Sequence, residues 1–565
     1  MKKILIIAVT LISLGSCKKL DNLLVNPNNP DPSTANVDLY FTQVQLSTAG
    51  LFDGVSDIGM QLTRMVIMYG PNYQAAYSPQ TFDGTWSTAY TGIFKHANEI
   101  ITLGNTQKKF PMVGMTKILK AYAMMTIVDM FGDVPYTEAN MGTANTNPKA
   151  DKGADVYAKA IVLLDEGIVD LAKAAPSGYP GTLDLFYGTI NAAGTANWRR
   201  LAKTLKLRAY MNTRLVQNNA AAIQALITEN DLINTKAQDF EFKYGTKVTN
   251  PNTRHPRYNG NYTATGNAGD YIGTHFMWVL NNERGLGNAN NDPRLRYYFY
   301  RQVTNNAAVS PNSNSCSVEP YPAHYDVNQP NPYTGATYDM PFCLVNNATG
   351  GLWGRDHGDN SGIPPDGNLR TTWGIYPAGG EFDLNQATRV SLDRGARGAG
   401  IQPMWLSSFT DFLRAEAALY GLIAGDPKTF LDAAMRQSFD KVFTYPATVS
   451  YIVPPASVPT QARVDAFIAR VMNAYDLGIN NSDRMDVIGK EYYVALWGNG
   501  LDAYNLYRRT GKPGNLQKAK VDPPGAFMRS LFYPSNYINF NLNAKQKPGV
   551  DVKVFWDNGS AIINR

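Results

Sequence analysis

Apolar positions recur at helical spacing through residues 34–243. Met115, Ile118, Leu119, Tyr122 and Met125 repeat at three and four, and Ile127, Val128, Met130 and Phe131 make the end of that segment apolar all round, the mark of a helix buried on most sides. Val156, Ala160, Leu163, Leu164, Gly167, Ile168 and Leu171 form one stripe; Trp198, Leu201, Ala202, Leu205 and Ala209 form another, with Asn197 in an N-cap position. Helical patterning returns after Leu406, where Phe409, Phe412, Leu413, Leu419 and Tyr420 share a face, and further helices fit 426–443, 460–475 and 482–497. Between 244 and 402 Asn, Gly, Pro and Tyr dominate and the periodicity fades. The pattern predicts a mostly α protein of stacked helix-turn-helix units, 34–243 and 403–565, with a loop-rich insertion over 244–402 that carries the recognition surface.

The first residues follow a different rule. Lys2 and Lys3 precede an apolar run from Ile4 to Leu14, too short to span a bilayer, and Leu14-Gly15-Ser16-Cys17 follows. Small residues directly before a cysteine resemble a bacterial lipobox, so 1–16 reads as a cleaved lipoprotein signal, Cys17 as the lipidated N-terminus and 17–33, rich in Asn and Pro, as a tether. Attachment is by lipid alone, because no later run of the sequence is long and apolar enough to span.

Composition narrows the chemistry. With 565 residues, 44% hydrophobic and 11% aromatic, the chain can bury a large core, and a net charge of +6 without basic clusters argues against nucleic acid. Three cysteines provide no zinc-ligand set; Cys316 and Cys343 either bridge in an oxidising compartment or stay as two buried thiols. The nucleotide-binding, serine-hydrolase and zinc-protease motifs are absent, and the five histidines are scattered. Arg199, Arg200, Lys203 and Lys206 suggest either a phosphate site or a solvated face, and Glu416 either a general acid or a buried carboxylate paired with an arginine. Asp356, Asp359 and Asn360, set among glycines, suggest either a Ca²⁺ loop or a structural turn; no other cofactor is implied.

Aromatic residues are the stronger signal. Tyr73, Tyr77 and Trp86 in the first half, and Tyr271, Trp278, Trp353 and Trp373 in the insertion, lie among Asn, Asp and Arg. Such rings stack on the C–H faces of sugars, or on peptides, while polar neighbours read the ligand's hydrogen-bonding groups. They are the candidate ligand-binding residues, and no catalytic residue is assigned. The alternative from another class is a secreted helical glycoside hydrolase using two loop carboxylates among Glu283, Asp292, Asp356, Asp359, Asp366, Glu381 and Asp383.

Several stretches resemble the SusD/RagB family of outer-membrane lipoproteins. Asp129-Met-Phe-Gly-Asp-Val-Pro-Tyr136 is similar to that family's "GDVPY" signature, Phe412–Ala417, Ala495–Gly500 and Asp502–Arg509 to its later helices, and Tyr533–Asn539 and Val554–Asp557 to its C-terminal end. Asn26-Pro-Asn-Asn-Pro30 points to the SusD-like branch. The resemblance implies tetratricopeptide-like helix pairs, a SusC-like TonB-dependent β-barrel as partner, capture of oligosaccharides or peptides at the cell surface, and no catalysis. The lipobox reading predicts that Cys17→Ala shifts the protein from membrane to soluble fractions on cell fractionation; continued membrane retention would contradict it.

Overall fold

The computed structural model describes residues 36–565 apart from 71, 175–183, 189–191, 267–268, 285–289, 304–315, 317–318, 344–349, 360–368, 387, 562 and 564–565. The signal segment, Cys17, the tether and Asn360 lie outside the described residues. The scaffold runs through α1 (Val37–Leu62), α2 (His96–Thr106), α3 (Phe110–Phe131), α4 (Gly153–Leu171), α5 (Ala192–Thr213) and α6 (Ala220–Glu229). After β1 (Phe240–Lys243), the insertion and β2 (Ile401–Trp405) come α7 (Ser407–Leu419), α8 (Pro427–Thr448), α9 (Gln461–Leu477), α10 (Asn481–Ala495) and α11 (Gly500–Thr510).

Local chemistry sets the helix ends. The side chains of Asn36, Asp426, Thr460, Asn480 and Asn499 each accept a backbone N–H in the first turn of α1, α8, α9, α10 and α11. Gly511, at φ 68°, ends α11 in the left-handed conformation. Asn197 is a correction: α5 begins at Ala192, so Asn197 lies inside it, where its Oδ1 accepts from Arg200 Nη1.

Neighbouring helices pack as a tetratricopeptide-like stack, α3 on α4, α4 on α5, α7 on α8 and α9 on α10, while α11 returns to lie on α1. That last crossing is in backbone contact, since a Cβ on Gly59 would stand 2.0 Å from the Gly500 carbonyl oxygen. α3 is buried along nearly its whole length, as its all-round apolar sequence implies. One polar group near its end ties the stack together. Asp129, fully buried, accepts from Tyr157 Oη of α4, from Arg208 Nη2 of α5 at 3.0 Å, from Asn505 Nδ2 of α11 at 2.8 Å and from Trp556 Nε1 of the C-terminal tail at 2.9 Å. Arg208 Nε also donates to Asp502 of α11 at 2.6 Å.

Among its described residues the insertion has short helical turns and ladders, and it is not a separate body. β1 pairs antiparallel with β2, Lys243 opposite Ile401, so its two ends leave the scaffold side by side. Between them are helical turns at Pro256–Asn261, Thr274–Trp278 and Leu295–Tyr298, and a two-residue ladder of Phe299–Tyr300 with Thr372–Trp373. Its rings enter the scaffold core: Trp373 stacks on Trp497, centroids 4.1 Å apart, and Phe276 packs on Tyr493 and Trp497. A buried ion network, Arg284 and Arg294 with Asp292 and Glu491, and Lys490 with Glu283, joins the insertion to α10.

Three open readings resolve here. Glu416 is buried between Arg509 (2.6 Å) and Arg214 (2.9 Å), a structural carboxylate. Arg199, Arg200 and Lys203 pair with Asp231, and Lys206 with Asp165, making a paired helix face. Cys316 and Cys343 are bonded, Cα atoms 5.6 Å apart, closing a separation of 27 residues. Asp129→Ala strands several buried donors and one guanidinium, and is expected to lower the unfolding free energy by about 3–5 kcal/mol in a urea titration. A loss under about 1 kcal/mol would show that the junction does not carry the stack.

Candidate functional site

The aromatic candidates do not form one platform. Tyr73 is fully buried; its hydroxyl accepts from Arg64 Nη2 at 2.9 Å and lies 3.1 Å from His357 Nε2, while its ring packs edge-on against Phe527. Tyr77 is half-buried and donates to Gln61. Trp86 lies between Tyr90 and Tyr537, centroids 4.7 and 4.8 Å away. Trp278 is covered by Tyr338 and His275. Trp353 and Trp373, 1% and 0% exposed, are core residues in this conformation and have no face to offer a ligand. Burial overrode their sequence context: large rings beneath loops fill the small cores those loops need.

Tyr271 and Trp353 do share a cluster, a small apolar centre with Ile67, Val303 and Leu369 that is separate from the main core. Its outer edge carries Tyr69, which the sequence reading missed. Tyr69 is 40% exposed, and its ring meets Tyr271 edge-on at 6.2 Å. Arg370 Cζ lies 3.6 Å and Arg355 Cζ 4.9 Å from the centroid of Tyr271, so two guanidinium groups lie against the ring that Tyr69 meets edge-on. Backbone pairing holds the parts together: Ile67 N–H donates to the Tyr271 carbonyl, Thr274 N–H to the Arg355 carbonyl and Arg355 N–H to the Ile272 carbonyl. Arg370 is held by the carbonyls of Gly269 and Asp270. Partial burial pushes the Tyr69 phenol up to about 12, with Arg370 opposing, so it is a neutral donor and acceptor at physiological pH.

Beside Tyr69 the surface turns polar. Asp270 accepts from Trp373 Nε1 at 3.0 Å and from Asn261 Nδ2, and faces Arg257. Arg257 also meets Asp57 at 2.8 Å and Asp53 at 3.4 Å, one helical turn apart on α1, and Gln61 donates to Asp57. The three carboxylates are each about one-quarter exposed around a single guanidinium. Burial raises Asp57, the nearby Asp270 and Asp53 add to this, and Arg257 opposes it. An exposed phenol ring beside partly exposed carboxylates, an amide and guanidinium groups can stack on a ring face and bond its hydroxyls.

The loop acids are spent on structure. Asp356 is buried, accepting from Gln517 Nε2 and Cys343 N–H, and burial raises its carboxyl to about 6. Asp359 pairs with Lys520 at 2.9 Å. Among the described residues no group of three or more His, Cys, Asp or Glu is placed to hold a metal ion. Glu283, Asp292, Asp383 and Glu381 pair with Lys490, Arg294, Arg301 and Arg394. Asp366 lies outside the described residues.

Fold and surface together define a helix-repeat scaffold that carries an irregular insertion, with an exposed aromatic and charged edge where the insertion meets the chain after α1. The sequence profile described as "Starch-binding associating with outer membrane" matches residues 30–329, and that described as "Susd and RagB outer membrane lipoprotein" matches 396–547. The chain belongs to the SusD/RagB family. Among solved structures it is similar to a SusD/RagB family protein from Bacteroides thetaiotaomicron, with 17% identity, 93% of this chain and 100% of that one covered, and a TM-score of 0.66. It is also similar to a chitin-binding SusD homologue from Flavobacterium johnsoniae, with 16% identity, 92% and 99% covered and a TM-score of 0.57. No curated protein sequence matches it. Among the described residues no helix is long and apolar enough to cross a membrane.

Two substitutions separate core from surface. Trp353→Ala removes a buried ring and is expected to cost about 3–5 kcal/mol, whereas Tyr69→Ala should stay within about 1 kcal/mol by chemical denaturation. Equal losses would mean that Tyr69 belongs to the core.

Proposed function

We propose that this protein is a lipid-anchored, cell-surface nutrient-binding protein. It captures oligosaccharides on the Tyr69 face and delivers them to a SusC-like TonB-dependent β-barrel in the outer membrane. Family membership supports the anchor at Cys17 and the barrel partner, and the chitin-binding relative favours glycans over peptides. The observation that carries the site is the exposed Tyr69 ring, backed by Tyr271 with its two arginines and with the Asp270 carboxylate nearby, which Arg257 links to Asp57 and Asp53. Sugar stacks on the ring while the polar border reads hydroxyls. Release into the barrel requires no bond to be broken.

The test is calorimetric titration of the soluble body, beginning at Lys18, with chito-oligosaccharides, malto-oligosaccharides and peptides, each mixture also assayed for cleavage products. A lost aromatic contact of about 1.4 kcal/mol weakens affinity roughly tenfold, so Tyr69→Ala is expected to lose about that factor with an unchanged melting temperature. Binding that Tyr69→Ala leaves intact would move the site elsewhere. Cleavage of the ligand would overturn the capture reading.

A further inference from the structure

The disulfide lies close to the proposed site. The loop it closes, from Cys316 to Cys343, touches residues 355–359 directly from the Cys343 limb and through Lys520 from the other. On one limb Cys343 N–H donates to the Asp356 carboxylate at 3.1 Å, and Gln517 Nε2 bridges the Pro341 carbonyl and Asp356, each at 2.6 Å. On the other, Glu319, three residues after Cys316, pairs with Lys520 at 2.6 Å, and Lys520 pairs with Asp359 at 2.9 Å. Between these two anchors, His357 N–H donates to Gln517 Oε1 and Gly358 N–H to the Met68 carbonyl. Arg355, at the start of the segment, lies over Tyr271, and Tyr271 backs Tyr69.

We propose that the Cys316–Cys343 disulfide is a redox-sensitive clasp that keeps residues 355–359, and through Arg355 the Tyr271–Tyr69 pair, in a binding-competent arrangement. This rests on the Tyr69 face being the ligand site. The bridge pins both limbs to each other, so the Cys343–Asp356 contact and the Glu319–Lys520–Asp359 relay are held at high effective concentration. A dithiol reductant opens it: the S–S bond takes up two electrons and two protons to give two thiols, while the reductant's two thiols become its own disulfide. The limbs then separate, and the buried Asp356 carboxylate loses its fixed donor at Cys343. The helical scaffold shares none of these contacts and stays folded.

The experiment compares the oxidised soluble body, the same protein in dithiothreitol and the Cys316→Ser/Cys343→Ser variant, by backbone hydrogen exchange and by titration with chito-oligosaccharides. The expected result is at least tenfold faster exchange at Arg355, His357, Gly358 and Thr274, with α3 amides and the melting temperature of the helices unchanged, and a several-fold weaker affinity that returns on reoxidation. Glu319→Gln, which keeps the disulfide, should speed exchange at Asp359 more than at Arg355. Unchanged protection over 355–359 in the reduced protein overturns the clasp, and so does lost protection with unchanged affinity. If the oxidised protein binds no saccharide, the functional reading fails by itself, while the exchange result still decides whether the disulfide holds the segment.

Discussion

A buried carboxylate without partners is among the costliest groups a fold can contain, and Asp129 is tolerable only because four elements bring it donors. α4, α5, α11 and the C-terminal tail must all be in place before its negative charge is satisfied. Apolar packing alone would let helices of similar shape slide or exchange neighbours. A single acceptor with directional donors does not, and it selects one arrangement of the stack. Arg208 carries the same constraint onward to Asp502, so the first half of the chain and α11 are registered by one continuous polar path.

The segment that follows Asp129 extends this role. Gly132 turns the chain at φ 81°, Asp133 accepts from the first N–H of α4, the Pro135 carbonyl accepts from Tyr90, and Asp151 receives the N–H groups of Tyr136 and Thr137. The stretch that most resembles the family is therefore scaffold chemistry. The proposed ligand face is elsewhere, built by the end of α1, Tyr69 just beyond it and two distant stretches of the insertion. Trp373 on Trp497 and the Arg284–Glu491 network fasten the described part of the insertion to the helices.

The helical scaffold was largely readable from periodicity, since a stripe such as Val156–Leu171 states its own burial. α8 runs five residues past its expected end at Phe443 and through Pro446, whose nitrogen cannot donate to the Val442 carbonyl, and it stops two residues later at Thr448. The proposed binding face was poorly readable for a physical reason: whether an aromatic ring is a platform or a core residue depends on what lies on its two sides, and those neighbours are far away in sequence. Trp353 and Trp373 share the composition of their surroundings with Tyr69, yet only Tyr69 ends at an edge. Its partner Tyr271 was noted, but the closeness of residues 69, 271, 355 and 370 follows from backbone pairing that no local pattern encodes.

The pairing of β1 with β2 bears on how such a protein can change. Because Lys243 and Ile401 sit opposite each other, the scaffold experiences everything between them as a closed excursion with fixed feet. Lengthening an outward turn of that excursion alters the closure entropy only logarithmically, by about 0.6 kcal/mol per doubling, and does not shift the register of α7 against α8. The helices can remain as they are while the outer surface is rewritten, provided the few rings that reach into the core are kept. One frame can in this way present many different faces to the medium.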